Sequence, residues 1–276
     1  MNEYDYMDPS CPFDVGQFRK NPSFMNAEAK LDVKAILKYV DELNEQRRYT
    51  DSKLILEQQL EEAKRVGDSA AELGLLSELI GVYRKEDSRD KGINSVHDAF
   101  ELVRELGLEG TATAGTVWVN GATALQEFGL YDEALNYYYM ASRAYSDTIA
   151  PDDYRFASLL NNMGACFSAL GRYDEALEHF NMALSSVKGN AFTPLEEAVT
   201  YINMAETYAH LDPPDDDMVE YYVDQCLKLF DDPAVPRDAY FSYYAKNCGL
   251  GLNELGFFRD AKHLIKMAED INASIS

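Results

Sequence analysis

Four asparagines hold the most distinctive chemistry in this chain. Asn120, Asn162, Asn203 and Asn247 recur in the contexts VNGA, NNMG, INMA and KNCG, each two residues before a small residue. A side-chain amide carries a donor and an acceptor at one end. An extended polypeptide exposes one N–H and one C=O per residue. A row of amides can therefore pair with main chain whatever the side chains are. The competing reading is structural: each Asn bonds the adjacent helix or its connecting turn and sets the spacing. Asn is a mediocre helix former inside helices, so its return at one interior position needs one of these two reasons. Neighbouring candidates on the same faces are Thr116, Thr123, Ser158, Asn161, Glu206, Tyr243 and Lys246. This set is small, polar and nearly uncharged, which suits an uncharged or mixed peptide.

No second constellation points to catalysis. His97, His179, His210 and His263 each stand alone in a helical pattern. The motifs HExxH, GxSxG, GxxxxGK[ST] and GxGxxG are absent. The acidic stretch at 212–217 lacks the Gly and Glu of a calcium loop. The expectation is a non-enzymatic protein with no metal and no cofactor.

The bulk properties narrow the partners. Of 276 residues, 46% are apolar, the net charge is −23 and the pI is about 4.4. Such a balance repels phosphate backbones and anionic lipid, so neither nucleic acid nor membrane is expected as a partner, and it attracts basic protein faces. No run of about 18 apolar residues occurs, and the acidic N-terminus has no secretory pattern. Cys11, Cys166, Cys226 and Cys248 form no CxxC pair. They read as reduced apolar fillers in a cytoplasmic protein.

The asparagines must be positioned by the elements around them. Residues 161–184, NNMGACFSALGRYDEALEHFNMAL, read as helix, tight turn and helix. Gly164, Gly171 and Ala176 mark the frame, with Leu160, Met163, Phe167, Tyr173, Phe180 and Ala183 around them. The frame returns at Trp118, Ala122, Leu125, Gly129, Tyr131, Ala134, Tyr138 and Ala141, and again at Gly249, Leu252, Gly256, Phe258, Ala261, Ile265 and Ala268. Weaker copies begin near Ile36, Leu76 and Tyr201. This pattern resembles the tetratricopeptide repeat. Ala122, Gly164, Ala205 and Gly249 are 42, 41 and 44 residues apart. The common repeat is about 34 residues long, so each helix here has roughly one extra turn. Such long repeats resemble those of kinesin light chains, of Leu-Gly-Asn spindle adaptors and of Rap-type peptide receptors.

The resemblance implies an all-α, right-handed α-solenoid of about six hairpins, near residues 31–68, 69–108, 110–147, 153–188, 194–231 and 237–275. First helices line a concave groove. In those families Asn at this position binds peptide main chain, and the resemblance carries that role to Asn120, Asn162, Asn203 and Asn247. Lys38 and Glu78 take the place in the first two hairpins. Spindle adaptors carry an Arg four residues before the Asn, where this chain has Thr116, Ser158, Val199 and Tyr243. An acidic C-terminal tail is therefore not expected as ligand.

Residues 1–30 fit no repeat and read as an extended or partly disordered segment. The expected function is a protein–protein interaction module binding an extended peptide in its groove. The alternative is a structural, self-associating subunit. There the groove is filled by the chain's own N-terminal segment, anchored by Phe13, Phe18 and Phe24, or by another protomer. An apolar end at Phe257, Met267 and Ile275 would make a homodimer through the last hairpin.

Overall fold

The computed structural model describes residues 31–275 apart from 47, 87, 151–152 and 187–193. The expected extended segment at 1–30 lies outside the described residues. Within them every regular element is a helix: α1 (Val33–Glu45), α2 (Tyr49–Val66), α3 (Ser69–Lys85), α4 (Arg89–Glu105), α5 (Ala112–Glu127), α6 (Tyr131–Thr148), α7 (Tyr154–Ala169), α8 (Tyr173–Ser186), α9 (Pro194–Ala209), α10 (Asp216–Asp231), α11 (Ala239–Glu254) and α12 (Phe258–Ile275). Successive helices fold back on each other in six pairs. The all-α repeat that the resemblance implies is present. The helices group into two compact units that divide between Ile149 and Ala150, with α1–α6 in the first and α7–α12 in the second.

Turn chemistry explains the Leu-Gly pairs. At the end of α7, Gly171 takes a left-handed φ of 72°, which costs a residue without a Cβ little. Its N–H bonds the Ser168 carbonyl at 2.9 Å, and the Arg172 N–H bonds the Phe167 carbonyl at 2.9 Å. The last carbonyls of the helix are thereby satisfied within a three-residue turn. The α9–α10 turn has no such glycine and spans 210–215. Asp215 closes it by accepting from the Met218 N–H at 3.1 Å, the cap that starts α10. Asp68 and Asp153 cap α3 and α7 in the same way. Asp68 also accepts from the Leu31 N–H at 3.1 Å, anchoring the entry to α1.

Small residues set the helix separations. Gly164 on α7 lies under the Phe180 ring of α8: a Cβ there would fall 2.5 Å from Phe180 Cε1. Phe180 is fully buried in exchange. Gly251 on α11 makes the matching close approach between hairpins, against Ile202 of α9. In the second unit α9 packs beside α7 and α11. These three first helices are thus neighbours, and they carry Asn162, Asn203 and Asn247.

Candidate functional site

The row does not behave uniformly. Asn203 on α9 donates from Nδ2 to Oδ1 of Asn161 on α7 at 3.1 Å. Further along the same interface, Ser168 and Thr207 hydroxyls bond at 3.0 Å. The α7–α9 seam is therefore closed by polar bonds. The α9–α11 seam differs. Asn247 is exposed, and among the described residues its amide takes no hydrogen bond. Asn203 and Asn247 line one pocket of about 250 Å³, with Val199, Ile202, Glu206, Cys248, Gly251 and Glu254.

Glu206 is the titratable centre of that pocket. Burial first, then the like charge of Glu254, pushes its carboxyl up to about 7, while His210 opposes the shift. Its Oε1 rests above Gly251, 2.8 Å from where a Cβ would stand. Ten residues earlier on α9, Glu196 is also pushed up to about 7 by burial. Glu196 Oε1 accepts from the Tyr240 hydroxyl of α11 at 3.4 Å. Its Oε2 is buried with no partner among the described residues. Sequence reasoning missed Glu196 and Glu254. The signal for Glu196 was its place seven residues before Asn203, on the same helical face.

The remaining expected site residues spread differently. In the first unit Asn120 is half-buried and takes no hydrogen bond among the described residues. Thr116, expected beside it in the groove, is only 7% exposed. Its hydroxyl meets the Tyr145 hydroxyl of α6 at 3.2 Å, so it faces the hairpin interior. Thr123 donates to the Val119 carbonyl at 2.9 Å and meets the Tyr138 hydroxyl at 3.1 Å. Glu78, at the equivalent place on α3, is pushed up to about 7 by burial and then by Asp41. In the second unit Asn162, Ser158, Tyr243 and Lys246 are half-buried. Tyr243 sets its ring edge-on to Tyr244.

The described cysteines are core residues. Cys166, Cys226 and Cys248 are buried and unbridged, and burial pushes the Cys166 thiol up to about 12. Cys11 lies outside the described residues. At the last hairpin Phe257 and Met267, expected at an apolar end, pack partly against the core, while Leu250 and Phe258 are exposed; the Ile275 side chain lies outside the described residues. No helix among the described residues is long and apolar enough to cross a membrane.

A family model described as tetratricopeptide repeat matches residues 113–189. No curated protein matches the chain. Among solved structures, apo RapI superposes with a TM-score of 0.63 at 11% identity, covering 100% of this chain and 99% of its own. A Rap protein complexed with Competence and Sporulation Factor gives a TM-score of 0.55 at 12% identity, covering 94% of this chain and 68% of its own. A putative kinesin light chain from Podosopora anserina with nearly identical TPR-like repeats gives 0.60 at 11% identity, covering 71% of this chain and 93–94% of its own in two crystal structures, the second variant scoring 0.61. At these identities the likeness is one of fold.

Proposed function

We propose that this chain, whose residues 113–189 are tetratricopeptide repeat within a TPR-like helical fold, is a non-enzymatic interaction module that holds an extended segment of another polypeptide. The segment lies across the first-helix faces, and side-chain amides take its main chain. The observation that carries this reading is the shared pocket of Asn203 and Asn247, in which the Asn247 amide has no hydrogen bond among the described residues. A purely structural ladder would use each amide internally, as Asn203 is used by Asn161. The Rap protein complexed with Competence and Sporulation Factor supports the reading by analogy of fold. The net charge of −23 and the three buried free cysteines support a cytoplasmic place with no nucleic-acid partner.

The test is selection from a random-peptide display library, comparing the full chain with Asn247→Ala. That variant is preferred to Asn203→Ala, which also breaks the bond to Asn161. Enriched peptides that Asn247→Ala holds about fivefold more weakly support the clamp, since one lost amide bond is worth about 1 kcal/mol. No enrichment by the full chain, but enrichment once residues 1–25 are removed, would instead favour a self-filled groove. No enrichment by either form would sink both.

A further inference from the structure

We infer that the α9–α11 pocket is a subsite for a basic side chain, arginine before lysine, of the bound polypeptide. This rests on the peptide-binding reading above and names what one position of that peptide must carry. The lining holds two carboxylates, of Glu206 and Glu254, and two side-chain amides, of Asn203 and Asn247, each of which carries an acceptor oxygen. No lysine or arginine lines it. Glu206 has no hydrogen-bond partner for its carboxylate among the described residues. A half-buried carboxylate facing a second one without a cation is an unfavourable arrangement. A cation supplied from outside relieves both the burial and the repulsion. Val199, Ile202 and Cys248 complete the lining with apolar surface suited to an alkyl stem, leaving the charged head to the carboxylates.

The size and the donor set narrow the ligand. About 250 Å³ is below the ~300–1,000 Å³ of sites that enclose a whole small molecule, and it suits a single side chain. A divalent metal ion would need several oxygen ligands around one point. Among the described residues no group of three His, Cys, Asp or Glu is placed to supply them. A guanidinium needs only acceptors spread along its fork, which two separate carboxylates provide. The overall charge of −23 draws basic segments toward the chain from a distance.

The experiment uses the full chain and two synthetic pools of ten-residue peptides. The pools are randomised alike and differ at one fixed central position, arginine in one and citrulline in the other. Citrulline keeps the shape and removes the charge. The expected result is retention of the arginine pool about tenfold above the citrulline pool. Glu206→Gln should bring the two pools level, chiefly by lowering retention of the arginine pool. That variant also removes one of two facing charges, so its melting temperature should hold or rise. Should Glu206→Gln lower it instead, Glu254→Gln is read in its place, with the same levelling expected. Equal retention of both pools by the full chain, with both reduced in Asn247→Ala, would overturn the basic subsite and leave the main-chain clamp standing. Retention of neither pool would overturn both.

Discussion

Asn203 reaches back to Asn161 across the α7–α9 seam at 3.1 Å, while Asn247, its counterpart one hairpin on, faces solvent. One sequence position thus does two jobs in neighbouring repeats. The difference is measurable. A double-mutant cycle on Asn161 and Asn203 with alanine should give a coupling of about 0.5–1.5 kcal/mol in urea unfolding. Asn247→Ala should change stability by less than about 0.5 kcal/mol. Equal destabilisation at both sites would mean that Asn247 is structural as well.

Stability should fall as pH rises from about 4.5 to about 7. Glu78, Glu196 and Glu206 are each raised from 4.5 to about 7, chiefly by burial. The folded state therefore favours their protonated forms. Below 4.5 these carboxyls are protonated both folded and unfolded, and their contribution is fully present. Between 4.5 and 7 the unfolded chain ionises first, and each group costs up to about 1.4 kcal/mol per pH unit. Above 7 the loss is complete. Urea midpoints at pH 5 and 7.5 should differ in this direction, and Glu196→Gln should reduce the difference. An unchanged difference would remove Glu196 from the account.

Two helical glycines should respond oppositely to alanine. At Gly251 a Cβ would meet Ile202 Cγ2 at 2.5 Å and Glu206 Oε1 at 2.8 Å, so Gly251→Ala should cost about 1–3 kcal/mol. At Gly81 a Cβ would meet nothing within 4 Å, so Gly81→Ala should stabilise by about 0.5–1 kcal/mol. Thermal unfolding of the two variants checks both signs.

Asp68 should be the most sensitive cap. It is 4% exposed, caps Ala71 of α3 and accepts from the Leu31 N–H. Asp68→Ala leaves two donors unpaired and should cost about 1–3 kcal/mol by urea unfolding. A cost below about 0.5 kcal/mol would show that water replaces the carboxylate at both donors.

Most of the fold could be read in the chain because its signals are local. Gly129 and Gly171 stop helices by their own backbone preference, and Gly164 and Ala176 mark close packing wherever the repeat frame falls. The site was less legible because its state depends on distant partners. Asn161 and Asn162 are adjacent, about 100° apart around α7, and the sequence does not say which one Asn203 meets. Thr116 shares a helical face with Asn120, yet Gly115 beside it lets the Tyr145 ring come close, 2.4 Å from where a Cβ would be. The hydroxyl of Thr116 then turns to that of Tyr145. The raised carboxyl of Glu196 owes its burial to tertiary packing, and Tyr240, which bonds it, stands 44 residues away.

The α9–α11 seam is tied at one end and untied at the other. Tyr240 holds Glu196 near the start of both helices, and ten residues along α9, about 15 Å further, the Glu206 pocket has no bond across it among the described residues. At that end the two helices meet through packing alone, Ile202 and Glu206 of α9 standing close over Gly251 of α11, so the width of the pocket is set by the one side chain that residue 251 lacks.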